Sequence, residues 1–522
     1  MIFDKTILAW ILFFPTAASL VVMLFPKARL QWIRWVSFIA SLVPFTLTVL
    51  TWLRFNPIVN PSTPFQFEIN LAWYEAVNST FHLGVDGISL TMVLLTTILT
   101  PLAILASFNI QERVKTYMVL FLLLETGMLG VFMALDLLLF FVFWEVGLVP
   151  MYFLIAMWGG KNRNYASLKF MLYTIGGSLG LLLATQLIGV TTGTFDMVTL
   201  FQKWSTIQEL NVPLGLSVPT IKAIAFWAFV VAFAVKVPIF PFHTWLPDAH
   251  TEAPTAGSMI LAGVLLKLGG YGFIRLVLPL FPVEAQHYAG WLAALATAAI
   301  VFGALGAWGQ NDFKRLVAYS SINHMGFVVL GIAAAAAAWK SADPGVMLSA
   351  NIALNGAVLQ MFNHGLSAAG MFFLVGVLYD RTHTRNLNDF GGLWAIVPVY
   401  GGILIFTSMA SLGLPGLNGF VSEFLVVRGS WHLQMVATAI SMIGLFFTGA
   451  YVLKAIKHVL HGPLNETWIG KVTEINRREV IIIAPLMILM LILGFYPAWL
   501  LGPINQSVAF WVDAVSKVAA IW

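Results

Sequence analysis

KVPIFPFHTWLPDAHTEAPTAGSMILAGVLLKLGGYGFIR, residues 236–275, sets two lysines inside apolar sequence. Lys236 closes an apolar run, 221–235, and the apolar character resumes as far as Leu246. Lys267 sits near the middle of a second run, 257–278, about 15 Å from either end at 1.5 Å per residue. A lysine at the centre of a bilayer costs several kcal/mol even on the gentler scales. Pro238, Pro241 and Pro247 remove helix donors and crowd the preceding carbonyls, so the helix carrying Lys236 breaks just after it. At membrane depth such a break survives only where protein or a water-lined cavity satisfies the freed backbone groups. A broken helix, a buried ammonium and nearby water make a place to hold and pass a proton. The competing reading is a structural lysine paired with a buried carboxylate. Two such lysines in succession weigh against it.

The rest of the chain is equally apolar. Of 522 residues 60% are hydrophobic and 9% charged, with a mean hydropathy of +0.89. Soluble proteins carry roughly 25% charged residues, so this is a polytopic membrane protein whose first partner is the lipid bilayer. The pI of 9.2 does not point to nucleic acid, because the positive charge is spread over short loops. With no cysteine, the chain holds no thiolate-bound iron–sulfur cluster, disulfide or thiol nucleophile. Gly-x-Gly-x-x-Gly is absent: Gly270 and Gly272 are followed by Arg275 in the third place. Nor does the N-terminus show a cleavable signal; the first span is expected to be retained.

Apolar runs long enough to cross a bilayer number fourteen. Their expected limits are 6–26, 36–54, 86–108, 116–135, 137–158, 166–190 and 221–247 in the first half. In the second half they are 257–280, 288–310, 316–338, 346–379, 393–428, 432–458 and 480–501. With the N-terminus outside, 17 of the 27 Lys and Arg fall in inner loops, Lys161, Lys314 and Arg385 among them. Eight fall outside, Arg275 among them, and only Lys236 and Lys267 remain in the membrane. Both termini are therefore expected on the external side. Two outer stretches are long. The first, 55–85, contains Pro57, Pro61 and Pro64 and then Trp73 and Tyr74; the second is 191–220. Either is compatible with a short hairpin.

Ionisable groups recur within the spans. Glu145 lies nine residues past Asp136, roughly 13 Å into the fifth span, and can serve as a counter-charge for Lys236. Glu125 falls in the fourth span, His324 in the tenth and His364 in the eleventh. Taken singly, a histidine in a span is more often a hydrogen-bonded core residue, and Glu125 more often a packing feature. The twelfth span is interrupted by Gly413, Pro415, Gly416 and Gly419, with Glu423 just beyond. Spans 7 and 12 are thus both broken beside an ionisable group. Paired interruptions of this kind mark inverted repeats, here spans 4–8 (about 116–280) and 9–13 (about 288–458) of one antiporter-like domain, 1–522.

These residues together carry a resemblance. FFVFWEVGLVPMYFLIAMWGGKNRNYASLKFMLYT, the 236–275 stretch without its last residues, KRLVAYSSINHMGFV, QMFNHGL, LYDRTHTRNL and LPGLNGFVSEF closely resemble the antiporter-like membrane subunits of respiratory complex I. The ionisable residue after the twelfth-span break is glutamate in that family's M type (the mitochondrial subunit 4 type) and lysine in its L and N types. Glu423, with a chain ending soon after span 14, resembles the M type. The resemblance implies that Glu145 and Lys236 form the coupled pair of a first half-channel and that Lys267 joins the halves. It makes His324 and His364 polar positions on the central axis and Glu423 the protonatable group of the outward half-channel. Glu125 has no role carried over.

The mechanism so implied is electrostatic. Burial disfavours a charged lysine and a nearby carboxylate favours it, so movement of Glu145 shifts where a proton sits between Lys236 and Lys267. The driving redox chemistry is implied to belong to other subunits, with NADH or ferredoxin, FMN, iron–sulfur clusters and quinone bound there and no cofactor in this chain. Implied neighbours are L-type and N-type subunits, in a bacterial plasma membrane. Two alternatives stand beside this: a subunit of a multisubunit cation/proton antiporter, and a non-conducting structural subunit. The series of buried ionisable groups argues against the second.

Overall fold

The structure, a computed structural model, describes residues 2–60, 63–207 and 216–520. Pro61 and part of the 191–220 stretch lie outside the described residues. Thirteen described helices are long and apolar enough to cross a membrane, from Asp4–Leu24 to Arg477–Phe495. The expected twelfth span is a broken pair, Pro398–Leu412 and Asn418–Trp431, which brings the number to the fourteen anticipated. Span 7 likewise ends as Val218–Lys236 and resumes as Trp245–Glu252, past Pro238 and Pro241.

Burial divides the bundle into centre and rim. Span 8, Thr255–Leu280, and the 39-residue span 11, Pro344–Thr382, are enclosed along their apolar length, while spans 1, 2, 13 and 14 are mostly open. The open faces carry Leu53, Leu183 and Phe446, side chains suited to lipid tails. Loops on one side of the bundle hold most of the Lys and Arg, and we call that side the basic face.

The opposite side carries a hairpin that the sequence left open. Strands β1, Gln66–Tyr74, and β2, Ser79–Val85, pair antiparallel, with Ile69 opposite Leu83. Asn78 takes the left-handed conformation at the turn, a geometry that asparagine tolerates better than most residues. Ser79 and the Thr80 amide donate to Asp136, stitching the hairpin to the start of span 5. His82 bonds Asp196 at 2.7 Å and Glu68 at 3.1 Å. Burial alone would push this imidazole down, but the two carboxylates carry it up to about 9.

Several expectations need correcting. Span 5 crosses over Leu137–Trp158 as expected but is irregular at Gly147, between Leu137–Val146 and Leu148–Trp158. Pro150 has no N–H to offer the Val146 carbonyl. Gly147 also lies so close to Gly127 that a Cβ on Gly127 would meet its amide nitrogen at 2.7 Å. Arg275, assigned above to the external side, is inside span 8 and buried, held by Asp86. Lys314, assigned to an inner loop, is buried with its ammonium bonded to the Ala253 carbonyl. Lys236 and Lys267 are therefore not the only buried cations. A further helix, Ala498–Ala519, caps the hairpin face, where Ser507 accepts the Gly87 amide and Asn505 meets Asn355.

Candidate functional site

Span 8 positions Lys267 by departing from regular helix. Residues Leu261–Leu265 and Phe273–Val277 form π-helical turns on either side of it. Such turns alter the regular backbone bonding and are frequent where a helix serves a site. Lys267 is fully buried, and its ammonium bonds the Ala262 carbonyl within the first π turn. It also lies 2.7 Å from His364 Nδ1 on span 11.

From His364 the line continues across the second half. The His364 and His324 rings lie with centroids 5.6 Å apart, tilted 43° to each other. His324 Nδ1 donates to Glu423 Oε1 at 2.7 Å, and its Nε2 is 3.2 Å from the Tyr451 hydroxyl and 3.4 Å from that of Ser411. Glu423 Oε1 also accepts from Gln360 at 3.1 Å. The break in span 12 makes room for this carboxylate. Gly413 has φ +85°, and a Cβ there would stand 3.1 Å from Glu423 Oε2. The structure thus brings four of the six predicted residues, Lys267, His364, His324 and Glu423, into one row.

The other two stand apart from that row. Lys236, 2% exposed, lies with Nζ 5.0 Å from the Trp144 ring centroid. That indole is itself fixed by a bond to Ser178. Glu145 is half-buried with one oxygen unbonded, and no ion pair within 4 Å joins it to Lys236. The counter-charge role expected of Glu145 is thus exerted without an ion-pair contact, as a longer-range electrostatic coupling to Lys236. Glu125 is fully buried with neither oxygen bonded.

Sequence reasoning passed over some residues of the same row. Gln360, Asn363, Asn418 and Ser422 form a polar network around the broken span: Asn363 donates to the Asn418 carbonyl and the Ser422 hydroxyl, and Ser422 donates to Gln360. Amides in apolar stretches such as QMFNHGL were the available signal. His250 was also missed. It is fully buried with neither ring nitrogen bonded, stacked on Phe372 at 4.3 Å, and lies within electrostatic reach of Lys267 and Lys314. Beside it, a cavity of about 240 Å³ on the basic face is lined by Glu252, Lys314, Asp380 and Arg385.

Among the described residues, no group of three or more His, Asp or Glu is placed to hold a metal ion. The arrangement suits proton transfer between fixed side chains: donors and acceptors alternate, buried, along a line from span 8 to the broken span 12.

Known proteins resemble the chain along nearly its full length. Residues 134–448 match the family described as NADH:quinone oxidoreductase/Mrp antiporter, TM. NADH-quinone oxidoreductase subunit M of Rhodobacter capsulatus is 41% identical over 516 residues, covering 98% of this chain and 97% of the relative. NADH-ubiquinone oxidoreductase chain 4 of Marchantia polymorpha is 37% identical, with 96% of each chain covered. In structure, a chain of respiratory complex I from Thermus thermophilus matches at a TM-score of 0.84 and 25% identity, covering 98% of this chain and 99% of that one. A chain of the Mrp complex from Dietzia shares the fold at a TM-score of 0.82 and 19% identity, with 100% of each covered. Together with Glu423 at the end of the buried row, these likenesses place the chain: it belongs to the NADH:quinone oxidoreductase/Mrp antiporter family of membrane subunits, in its subunit M branch.

Proposed function

We propose that the chain is a proton-translocating subunit in the membrane arm of an NADH:quinone oxidoreductase and carries no redox chemistry itself. The observation that carries this reading is the buried row from Lys267 through His364 and His324 to Glu423. A proton on Lys267 passes to His364 Nδ1. It crosses the 5.6 Å between ring centroids by ring rotation or through one water, then moves from His324 Nδ1 to the Glu423 carboxylate. Each hop leaves its donor ready to accept again. Glu423, at the Gly/Pro break, is the outward terminus. Lys236 and Glu145 form the controlling pair: their electrostatic coupling sets whether Lys267 is loaded.

The organisation is two inverted repeats, about 116–280 and 288–458, each contributing one broken helix. Both termini are external in a bacterial plasma membrane, as the loop-charge bias supports. L-type and N-type subunits flank the chain. NADH or ferredoxin, FMN, iron–sulfur clusters and quinone belong to partner subunits, in keeping with a chain that contains no cysteine.

The test uses the assembled complex in proteoliposomes with Glu423→Gln, reading proton uptake per quinone reduced. Loss of pumping with assembly intact supports the reading; wild-type pumping overturns the assignment of Glu423. The shared fold with the Mrp complex favours one second reading, exchange of a cation for protons. Transport that requires added sodium would select it.

A further inference from the structure

Beyond Lys267, towards the hairpin face, span 8 carries a second buried cation. Arg275 follows Lys267 by eight residues, about 12 Å along a helix axis. Its guanidinium is 1% exposed and lies 2.6 Å from Asp86 Oδ2. Three rings surround it, with centroids 5.0 Å (Phe65), 5.2 Å (Trp511) and 5.4 Å (Tyr271) away. Trp511 donates to the same Asp86 oxygen at 3.0 Å, and the other Asp86 oxygen caps span 3 by accepting the Ile88 and Ser89 amides. Between the two cations, Tyr271 accepts from Arg275 Nε at 3.2 Å and donates to the Phe132 carbonyl at 3.0 Å.

A guanidinium offers only donors and stays protonated throughout the accessible pH range. It cannot take a proton from Lys267 and hand it on. As a fixed positive charge in a low-dielectric surrounding it also repels a proton moving towards it. The aromatic collar leaves this charge enclosed by rings instead of solvent. Lys267 thus has an acceptor 2.7 Å to its side in His364 and a non-relaying cation further along its own helix.

We propose that the Arg275–Asp86 pair, collared by Phe65, Tyr271 and Trp511, is an electrostatic seal that blocks the direct route from Lys267 to the hairpin face. It forces protons sideways into the second half of the subunit. The C-terminal helix Ala498–Ala519 then has a defined task, since its Trp511 closes the collar. The seal rests on the proton path proposed above, but it makes its own prediction about passive leak.

The experiment measures proton leak without turnover. Assembled complex is reconstituted in vesicles holding a pH-sensitive dye, and the decay of an imposed pH step is followed with potassium and valinomycin and no NADH. Arg275→Met combined with Asp86→Asn removes both charges together, so neither is left buried alone, and the asparagine amide oxygen still accepts at the cap of span 3. The expected result is a severalfold faster decay with NADH:quinone turnover retained. Arg275→Lys is the second variant. It keeps the charge but can release a proton, so leak should also rise. An assembled variant of either kind that holds the gradient like wild type overturns the seal. Failure of both to assemble would make the pair a structural tie and overturn it as well. Loss of pumping without leak, as expected for Glu423→Gln, concerns the path and leaves the seal standing.

Discussion

Lys267 and His364, 97 positions apart in the chain, meet at 2.7 Å where spans 8 and 11 cross in the buried centre of the bundle. This contact joins the lysine half of the subunit to the half that ends in Glu423. His364→Phe keeps a ring of similar bulk and removes the acceptor. Positioned proton-transfer groups contribute on the order of 100-fold or more, so pumping-coupled turnover of the assembled complex should fall by at least about tenfold. Wild-type pumping by His364→Phe would remove this residue from the path.

Lys236→Met should leave assembly largely intact and abolish coupled pumping. Breaking a contacting buried ion pair costs roughly 3–5 kcal/mol. Here no contact within 4 Å joins Lys236 to the half-buried Glu145, so the loss of stability should be smaller than that. Complex yield in mild detergent and pumping in inverted membranes separate the two effects. Normal yield with normal pumping would show Lys236 to be a packing residue over Trp144.

At Glu423 three substitutions discriminate. Aspartate retains an ionisable carboxylate with a shorter reach and should slow pumping moderately. Glutamine keeps shape and can still bond His324 but cannot ionise, so pumping should collapse. Lysine restores a protonatable group yet places a cation beside His324 Nδ1 and Gln360 Nε2. If relay alone is required, lysine recovers activity relative to glutamine; if negative charge is required, it does not. Pumping assays on assembled complex read all three.

The hairpin should weaken at alkaline pH. Against the downward push of burial, Asp196 and Glu68 carry His82 from an ordinary 6.5 to about 9. A group whose folded value is raised contributes fully below its unfolded value and loses that contribution as pH rises through the folded one. The protection factors of residues 66–85, taken against the intrinsic base-catalysed exchange rate at each pH, should therefore be high at pH 6 and fall above about pH 9. His82→Gln should lose the alkaline transition. Protection that is constant from pH 6 to pH 10 would exclude His82 as its source.

Topology is testable directly. A C-terminal reporter active only outside the cytoplasm should give signal, following the loop bias, which is 16 to 7 once the buried Lys314 and Arg275 are set aside. Activity confined to a cytoplasmic reporter would invert the orientation.

Read alone, the sequence determined the membrane class, the fourteen crossings and the two breaks. These depend on local quantities: apolar length, and proline and glycine that cannot continue a helix. It also singled out the four ionisable residues of the row, because such a group in an apolar run is visible without knowing its neighbours. Which of them meet was decided by the tertiary structure. Lys267, His364, His324 and Glu423 lie on four different spans, and only helix packing brings them into a row. The same packing set the Lys236 ammonium over the Trp144 ring and left it without an ion-pair contact to Glu145. It also drew Arg275, which loop counting had placed outside, into contact with Asp86. A buried arginine next to a span end reads like a loop residue until its carboxylate partner, far away in the chain, is seen beside it. The π turns flanking Lys267 were equally hidden, since backbone register within a helix answers to neighbouring helices and leaves no mark in apolar composition.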